Sequence, residues 1–560
     1  VDRRVERMSK LSYCIFGVYK LILEAVLEYT NSSISVPQFL ITIPSNSSYG
    51  DLSTGVAFSL TNLIKRSPYE IATDIANKLM DRTSNIVEKI DVVKPGYINF
   101  FMKNSFWHDV MHDVLNAGAD YGKGDLGKGE KVLIEYVSAN PTGPIHVGHG
   151  RGAVVGDVLA RVLASQGYNV TREYYINDAG NQVLSLGYSV LNEYSREYNS
   201  MLKVSKTGEY QGDYIKEIAN SLNTGMEPGN INEENIQLIT DFSVNFILNG
   251  IKTVLKNFNI EFDSWFSEKS LYASGSVEKV IEELKKKNAI KYEDGATWFL
   301  STLYGDEKDR VLKKQSGELT YFASDVAYHI NKYERGFNKL INIWGADHHG
   351  YLPRIRAALN ALGYDTDRLI VMFVQMVRLT RGDKPVAMSK RAGEYITLKE
   401  LIDEVGNDAV RFFFLQRSHE SQLIFDIELA KKQSQENPVY YVQYAHARIA
   451  NIFNYAITKG WNVASLKQNR DYEFTEAEKQ LLSLCLLYPQ LVREIAVKRE
   501  PHRLTHYLME LVGILHKYYT DTRVVDNDSN TEQRLLLMKV VKIVLKNALD
   551  LLGINAPEKM

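Results

Sequence analysis

The segment from Ser138 to Gly152 (SANPTGPIHVGHGRG) constrains the fold of this chain more than any other part. An apolar run at 132–137 precedes it, and a helical pattern follows it. His146 and His149 are three residues apart, so a helix that begins near His146 carries both imidazoles on one face. Such a helix start offers free N–H groups and the positive end of the helix dipole. Strand, glycine-rich turn and helix start together predict an anion site suited to the phosphates of a nucleotide.

Length and composition indicate a multidomain protein of the ordinary globular kind. The chain has 560 residues, whereas one domain usually holds about 100 to 200 residues. Its composition is 45% hydrophobic and 24% charged, and no window has the roughly 20 uninterrupted apolar residues that a membrane span needs. The N-terminus does not have the layout of a secretory signal peptide. These features predict a soluble protein.

Cysteine content excludes two kinds of site, whereas net charge leaves the partner open. The two cysteines, Cys14 and Cys485, are too few for a disulfide framework or a cysteine-based zinc cluster. A reducing, cytoplasmic setting is therefore expected. The net charge of −2 does not decide for or against nucleic acid as a partner, because a neutral protein can carry a basic patch.

The N-terminal third of the chain shows two kinds of region. Helical patterns and a strand-like end fill the part up to about residue 125, which includes the start of a glycine-rich connector at 118–130. After the connector come the strand, the opening motif, a helix capped by Gly167 and a second strand at 169–176. This order is a βαβ unit, which predicts a parallel sheet covered by helices.

The remainder of the chain changes character twice. From about 188 to 318 the pattern is mixed and polar, which predicts an insertion that interrupts the sheet. Sheet patterns resume at 339–350 and 369–379. After about Leu398 strand patterns vanish, and four or more helices are predicted from 437 to the end.

Taken alone, two histidines at this spacing are also typical of the polar surface of a helix start. The flanking PTGP and GRG favour a ligand site, because several prolines and glycines specify an unusual backbone next to a strand end. Gly148 has no side chain, so a flat base can lie on its backbone. His146 and His149 can donate hydrogen bonds to phosphate oxygens as negative charge builds there.

A second motif, AMSKRAG at 387–393, follows a strand pattern. A lysine in a polar loop is usually a solvated surface charge. Here a loop with Met388, Ser389 and Lys390 can fold over the β- and γ-phosphates of a bound nucleotide. Lys390 would stabilise the departing pyrophosphate, because lysine is a compact cation with three donors.

Together these motifs resemble the HIGH and KMSKS signatures of class I aminoacyl-tRNA synthetases. Longer strings resemble bacterial arginyl-tRNA synthetases over almost the whole chain, and they are EYVSANPTGPIHVGHGRGAVVGDVLARVL, REYYINDAGNQ, TYFASDVAYH, WGADHHGY, ENPVYYVQYAHAR and the ending APEKM. The chain departs from the family at Ala387, where the second signature begins with lysine. Arginyl enzymes as a group have degenerate versions of this loop, and the second lysine of the signature is present as Lys390.

The resemblance implies an α/β fold with a class I synthetase Rossmann-like parallel-sheet catalytic domain and an insertion. It also implies an α+β N-terminal domain and an all-α C-terminal helical bundle. The implied domains are an added domain that touches the tRNA elbow (1–125), the first half of the catalytic domain (126–190), a connective insertion (191–310), the second half with the AMSKR loop (311–398), a stem-contact region (399–436) and a helical anticodon-binding domain (437–560).

Arginine as a substrate sets chemical requirements of its own. A guanidinium is planar, always charged and rich in donors, so a selective pocket needs carboxylates in fork geometry. Glu135 lies on the strand that enters the motif, Asn140 lies in the motif, and Tyr321 and Asp325 share one face of a predicted helix. Alone, Asp325 would be a surface acid and Tyr321 a core aromatic. The resemblance assigns all four to an arginine pocket that should reject lysine.

The GADHH string follows a predicted strand end, where ligands of open α/β sheets bind. The resemblance places Gly345 and Asp347 near the ribose of ATP and His348 on the arginine side. His348 and His349 are not predicted to hold a metal ion, because no cysteine or acid stands at ligand spacing.

The helical C-terminal region carries ENPVYYVQYAHARI at 436–449. Tyr444 and Arg448 offer a stacking face and a cation, the combination used for unpaired bases, although a tyrosine-rich helix can also simply pack within its own bundle. The family places anticodon recognition here, so Tyr444 and Arg448 are the predicted tRNA-binding residues.

The implied function is ligation of L-arginine to tRNA(Arg) through arginyl-adenylate, with ATP as substrate and Mg²⁺ as its companion ion. Catalysis would come from His146, His149 and Lys390 without a protein nucleophile. The resemblance further implies a cytoplasmic monomer that needs tRNA for the activation step. The alternative is an acyl-adenylate-forming nucleotidyltransferase acting on a small molecule, against which the large helical tail argues. A non-catalytic tRNA-binding paralogue is disfavoured by the intact histidines and lysine.

Overall fold

The computed structural model describes residues 13–386, 396–526 and 528–560. Backbone contacts divide the chain into two compact units. The first unit comprises the chain up to Lys128, Arg161–Gly167 and Gln433–Met560, and the second comprises Gly129–Ala160 and Tyr168–Lys432.

The N-terminal segment of the first unit is an antiparallel sheet with helices packed on it. In chain order its elements are α1 (Cys14–Tyr29), β1 (Ile41–Thr42), β2 (Leu52–Thr54), α2 (Val56–Ile64), α3 (Pro68–Thr83), β3 (Val87–Val93), β4 (Tyr97–Met102) and α4 (Asn104–Ala117). The strands pair in the order β1-β2-β4-β3. Local sequence sets the start of α3, because Ser67 and Glu70 form a reciprocal capping box and Pro68 takes the first helical position. The segment has the predicted α+β character.

The second unit alternates strands and helices. In chain order its strands are β5 (Lys131–Glu135), β6 (Asn169–Ile176), β7 (Ser264–Ser267), β8 (Ile290–Glu293), β9 (Ala296–Phe299), β10 (Arg310–Lys313), β11 (Lys339–Gly345), β12 (Leu369–Val374), β13 (Val377–Arg381), β14 (Lys384–Pro385) and β15 (Leu423–Asp426). Its helices are α5 (Val147–Ser165), which runs on into the first unit, α6 (Asn181–Tyr198), α7 (Asp213–Gly225), α8 (Ile236–Asn257), α9 (Lys269–Ala273), α10 (Ser276–Lys286), α11 (Tyr321–Glu334), α12 (Leu352–Leu362), α13 (Leu398–Val405), α14 (Asn407–Phe414) and α15 (Ile427–Lys431).

Parallel strands form the central sheet of this unit in the order β12-β11-β5-β6-β7. The chain runs from β5 to β6 and β7 on one side and later adds β11 and β12 on the other, so the strand order reverses between β5 and β11. In open parallel sheets, ligands bind outside the carboxyl ends of the strands at such a reversal. The histidine motif follows β5 and the GADHH string follows β11, so both lie at this crevice. The predicted Rossmann-like fold is confirmed.

Two short strands lie where the sequence analysis predicts none. β7 falls inside the predicted insertion, yet it forms the edge of the parallel sheet beside β6. β15 follows Leu398 and pairs in parallel with β13. The expectation that strands end at about Leu398 is therefore wrong, and β7 is a strand that the sequence analysis did not predict within the insertion. A strand of four residues is too short to show a period, and it forms because a partner strand is available.

Helices make up the C-terminal part of the first unit, as predicted. They are α16 (Pro438–Thr458), α17 (Glu476–Lys498), α18 (Arg503–Asp521) and α19 (Thr531–Leu552). They pack against the N-terminal segment within this unit: the Asn547 side chain donates to Gly118 O at 2.9 Å, and the Tyr121 hydroxyl donates to Cys485 O at 3.0 Å.

One helix in the described part of the chain, Glu233–Asn257, is long and apolar enough to cross a membrane by length and composition alone. The most apolar window of this helix is 44% buried inside the fold, and α8 packs on α6. A core helix of a soluble protein passes the same test, so this feature is weak support for a membrane span.

Candidate active site

The turn that joins β5 to α5 holds an unusual backbone. Val137 and Ser138 have φ angles of 69° and 40°, in the left-handed region that non-glycine residues rarely adopt. The Ser138 hydroxyl donates a hydrogen bond to Glu135 Oε1 at 2.9 Å and accepts one from Tyr175 N at 3.1 Å. These two hydrogen bonds tie the turn to the carboxyl ends of β5 and β6.

His146 and His149 stand side by side where α5 begins, at Val147. Their ring centroids are 3.9 Å apart. Gly148 N donates to His146 Nδ1 at 3.0 Å, and a Cβ at Gly148 would lie 2.7 Å from Cε1 of the same ring. A larger residue at position 148 would therefore displace the His146 ring. The predicted helix start with both imidazoles together is confirmed.

The residues that follow the AMSKR string contact the histidine segment directly. Leu398 N donates to Ile145 O at 2.9 Å, and Thr397 pairs with His146 in an antiparallel bridge. This pairing anchors the chain beyond the string next to the first histidine. The predicted residues that lie outside the described part of the chain are Ala387, Met388, Ser389 and Lys390.

Tyr321 and Asp325 lie on the first two turns of α11, and Asp325 accepts a hydrogen bond from the Tyr351 hydroxyl. Burial is the main cause that raises the pKa of Asp325 to about 7, and the charges of Glu268 and Glu135 raise it further. Tyr321 is 51% exposed and is thus open to solvent beside the acid. Asp325 is therefore a carboxyl that a bound cation would help to ionise.

Glu268 is a further acid of this pocket, which the sequence analysis does not predict. It follows β7 directly and is 1% exposed. Its Oε1 accepts from the Ser324 hydroxyl at 2.7 Å, whereas Oε2 is buried with no hydrogen-bond partner among the described residues. Burial raises the pKa of Glu268. A buried oxygen of this kind fits a guanidinium donor. The only signal in the sequence is an acid after a short apolar run, inside the predicted insertion.

Glu135 lies beside Asp325, but partners inside the protein already occupy both of its oxygens. The Lys332 ammonium donates to Oε2 at 2.5 Å, and the Ser138 hydroxyl donates to Oε1 at 2.9 Å. Lys332 is completely buried. The structure thus brings Glu135 to the predicted pocket as one half of a buried ion pair.

Asn140 connects the turn after β5 with the loop after β6. Its side chain donates to Gln182 Oε1 at 2.7 Å and accepts from Asn177 Nδ2 at 2.7 Å. Gly180 of the same loop has a φ of 84°, and a Cβ there would lie 3.3 Å from the Tyr321 hydroxyl. Two predicted arginine-binding residues therefore border one loop.

Gly345 ends β11, and the residues after it form a short 3-10 helix. Asp347 and His348 are exposed there, with His348 Nε2 3.8 Å from Asp347 Oδ2. Tyr351, at the end of the same helix, donates to Asp325, so this turn borders both the predicted nucleotide side and the predicted arginine side. Within the described residues, no group of three histidine, cysteine or acidic side chains is placed to hold a metal ion.

Tyr444 and Arg448 lie on α16, in the first unit. The Arg448 guanidinium is 3.7 Å from the ring centroid of Tyr519 and 5.9 Å from that of Tyr444. A cleft of about 580 Å³ opens beside Arg448. Its wall includes Arg448, Asn451, Tyr455, Tyr519, Asp521 and Arg523. A cation and aromatic faces therefore meet at a concave surface of the helical region.

Comparison with known families and structures agrees with this geometry. Three family models match in succession: "Arginyl tRNA synthetase N terminal domain" at 18–102, "tRNA synthetases class I (R), catalytic domain" at 110–455 and "DALR anticodon binding domain" at 442–560.

Whole-length relatives point the same way. The arginine–tRNA ligase of Geobacter sp. (strain M21) is 45% identical over 538 residues, which cover 95% of this chain and 96% of the relative. That of Oceanobacillus iheyensis is 46% identical over 94% of this chain and 95% of its own. The solved arginyl-tRNA synthetase of Thermus thermophilus, at 22% identity, shares the fold over 98% of this chain and 100% of its own, with a TM-score of 0.76. The chain belongs to the arginyl-tRNA synthetases of class I.

Proposed function

We propose that the chain makes arginyl-tRNA in two steps at the crevice between β5 and β11. The carboxylate of L-arginine attacks the α-phosphate of ATP in line, arginyl-adenylate forms and pyrophosphate leaves. In the class I pattern, the 2′-hydroxyl of the terminal adenosine of tRNA(Arg) then attacks the activated carbonyl, the bond between this carbonyl and the phosphate breaks, and AMP leaves. Besides the family, one observation carries this proposal. Asp325 and Glu268, two buried carboxyls that form no ion pair with any described residue, lie in the same unit as His146 and His149, whose rings stand side by side.

The guanidinium of arginine supplies what this pocket lacks. Asp325 and Glu268 both have raised pKa values because they are buried, and a bound cation would return them to the ionised form. Planar N–H groups can reach two carboxylates at once, whereas a lysine ammonium would leave part of the pocket unsatisfied. Asn140 and Tyr321 complete the proposed arginine-binding set, and Glu135 supports it from within its buried ion pair with Lys332.

Two further roles complete the amino-acid side. His348, on the turn after β11, is the remaining proposed contact to arginine. Tyr351 holds Asp325 from the same turn and thereby fixes the acid that faces the guanidinium. A hydrogen bond from a neutral hydroxyl leaves the charge of Asp325 available to the substrate.

ATP is proposed to lie across the start of α5 and the turn after β11. His146 and His149 would donate to phosphate oxygens as charge develops, and Gly148 would leave room for the base. Gly345 and Asp347 would approach the ribose. The loop residues proposed for the β- and γ-phosphates are Met388, Ser389 and Lys390.

Mg²⁺ would neutralise part of the negative charge on the phosphates of ATP. The described residues offer no group of three possible ligands, so we expect the ion to arrive on the phosphates of ATP rather than in a cage of protein ligands. Acceleration by this chain's own groups then comes from positioning and from charge stabilisation.

The tRNA contacts are proposed for the helical region of the first unit. Arg448 offers a cation at the cleft beside α16, and Tyr444 offers a ring face 5.9 Å from that cation, a combination that suits an unpaired base. We further propose the family's need for tRNA in the activation step, a monomeric state and a cytoplasmic location. The domain boundaries at 125, 190, 310, 398 and 436 stay predictions.

Arginine-dependent exchange of pyrophosphate into ATP tests this proposal, measured with and without tRNA(Arg). Exchange that depends on arginine, followed by transfer of labelled arginine to tRNA, is the expected result. Activity that needs another carboxylic acid would instead favour a small-molecule nucleotidyltransferase. Equal exchange without tRNA would keep the ligase and remove the proposed tRNA requirement.

A further inference from the structure

Lys332, which the proposed reaction does not use, is buried beneath the arginine pocket on α11. Its side chain is 0% exposed. The ammonium donates to Glu135 Oε2 at 2.5 Å and to Asn342 Oδ1 at 2.9 Å, and it lies 4.1 Å from the ring centroid of Tyr328. Two hydrogen bonds and a ring face therefore compensate its buried charge.

A chain of hydrogen bonds leads from this lysine to the active-site turn. Glu135 accepts from Lys332 with one oxygen and from the Ser138 hydroxyl with the other. The Ser138 hydroxyl in turn accepts from Tyr175 N, and Val137 and Ser138 hold left-handed backbone angles. Such angles persist only where neighbouring contacts enforce them. Among these contacts, the Lys332–Glu135 ion pair holds Glu135 in the position from which it accepts the Ser138 hydrogen bond.

The same lysine also stabilises the placement of Asp325. Asp325 and Lys332 are seven residues apart on α11, two helical turns, so they lie along one face of the helix. Through Glu135 and Asn342, the ammonium connects this face to β5 and β11, which are adjacent in the sheet. The strand that enters the nucleotide turn and the helix that carries the pocket acid are thus joined by one cation.

We propose that Lys332 is a positioning residue for arginine recognition: it commits Glu135 to the turn at Ser138 and leaves Asp325 and Glu268 as the carboxylates that pair with the guanidinium. This inference rests on the proposed function. Within the described residues, Glu135 is in an ion pair, whereas neither Asp325 nor Glu268 is. The protein neutralises one acid of the group with its own cation, and the substrate neutralises the other two.

Steady-state aminoacylation by Lys332→Met and Lys332→Arg tests the proposal. Lys332→Met leaves Glu135 buried and unpaired, so we expect the KM for arginine to rise about 30-fold or more, since removing one partner of a buried charge pair has an effect of that order. The KM for ATP should change by less than about threefold. Lys332→Arg keeps the charge and should recover most of the arginine affinity. Lys279→Met, a 66% exposed lysine that pairs with α11, is the matched control.

A double variant separates the charge pair from general damage. Glu135→Gln together with Lys332→Met removes both charges, so the double variant should bind arginine better than Lys332→Met alone. A double variant as poor as the single one would overturn the role of the pair. Circular dichroism and urea unfolding of every variant check that the chain is folded. If Lys332→Met does not fold, Lys332→Arg still decides: it should keep most of the arginine affinity of the wild-type protein, and a rise of about 30-fold or more in its KM for arginine would overturn the role of the pair.

A pH profile adds a readout that a merely structural role would not move. Loss of Lys332 leaves the charge of Glu135 uncompensated, so the pH below which arginine affinity falls should move upward in Lys332→Met. The titratable or charged groups that face Asp325 are Glu135, Tyr175, Glu268, Tyr272, Tyr321, Lys332 and Tyr351. An unshifted profile, or equal rises in KM for arginine and ATP, would refute the inference. An inactive wild-type protein would refute the proposed function instead.

Discussion

Two groups of buried acids lie close together in the second unit, and they differ in what neutralises them. Glu173 on β6 is the register partner of Glu135 on β5. Arg335 donates to its two oxygens at 2.5 and 2.8 Å, and Tyr328 and Ser264 donate to it at 2.7 and 2.8 Å. Burial opposes ionisation of Glu173, but these donors outweigh burial and lower its pKa. The protein itself completes this group.

The group of acids in the proposed arginine pocket has the opposite character. Asp325 and Glu268 have pKa values raised by burial, and Glu268 keeps one oxygen without a hydrogen-bond partner among the described residues. A charge group completed by the protein holds the fold together, whereas an incomplete one is a place for a ligand of opposite charge. The difference distinguishes a structural site from a binding site within one unit.

The largest effect is expected from breaking the complete group. Arg335→Met should lower the free energy of unfolding by about 3 kcal/mol or more, because it leaves Glu173 buried and unpaired. Urea unfolding measures the loss, and added L-arginine should not restore it. The double variant Glu173→Gln with Arg335→Met should recover part of the stability. A loss in the free energy of unfolding below about 1 kcal/mol would mean that the ion pair between Arg335 and Glu173 contributes no more than an exposed pair does.

Asp325→Asn attacks the incomplete group instead. We expect the KM for arginine to rise about 100-fold, because the variant removes one of two charges that face the guanidinium. The KM for ATP should stay within about threefold, and the free energy of unfolding should not fall, because the change removes a buried acid. Equal rises in both KM values would take Asp325 out of the arginine pocket.

Glu268→Gln tests the pocket acid that the sequence analysis does not predict. An amide keeps the shape of the side chain but loses its charge, so the KM for arginine should rise about 20-fold, the size of a hydrogen bond to a charged group. Glu283→Gln, on the exposed surface of α10, is the control. An unchanged KM for arginine would show that the unpartnered oxygen does not meet the substrate.

The smallest effect concerns pH. The pKa of Asp325 is raised to about 7, so the acid loses its charge as the pH falls through that value. The KM for arginine should therefore rise by up to about tenfold for each pH unit below 7, while the KM for ATP should not follow. Asp325→Asn should weaken this dependence, and what is left belongs to Glu268, whose pKa is also raised by burial. A flat profile in the wild-type protein would contradict the assigned role of this carboxyl.

Local sequence was enough to predict the geometry of the histidine turn, which is the proposed nucleotide side of the site. Gly148 and the two histidines lie within one strand, turn and helix start, so neighbouring residues determine their arrangement. The same holds for the capping box of Ser67 and Glu70. Where an element is short and depends on a distant partner, as in β7 and β15, no period marks it and the prediction misses it.

The arginine side shows where local reasoning stops. Glu268 faces Ser324, which is 56 residues away, and its strand β7 is an edge strand inside a segment predicted to be an insertion. The sequence analysis placed Glu135 at the pocket, but its partner Lys332 is 197 residues distant. Neither pairing follows from the residues nearby in the chain.

The sequence alone determined the order of the longer elements, the histidine turn and the membership of this chain in its family, because these depend on contiguous residues. Only the tertiary structure decided which carboxyls are neutralised by the protein and which are left for a ligand. Arg335 forms an ion pair with Glu173, and Lys332 forms one with Glu135. Asp325, by contrast, has a pKa that is raised by burial. The reason is physical. Desolvation and charge pairing depend on distances between residues far apart in the chain, and those distances exist only after the sheet and α11 have packed together.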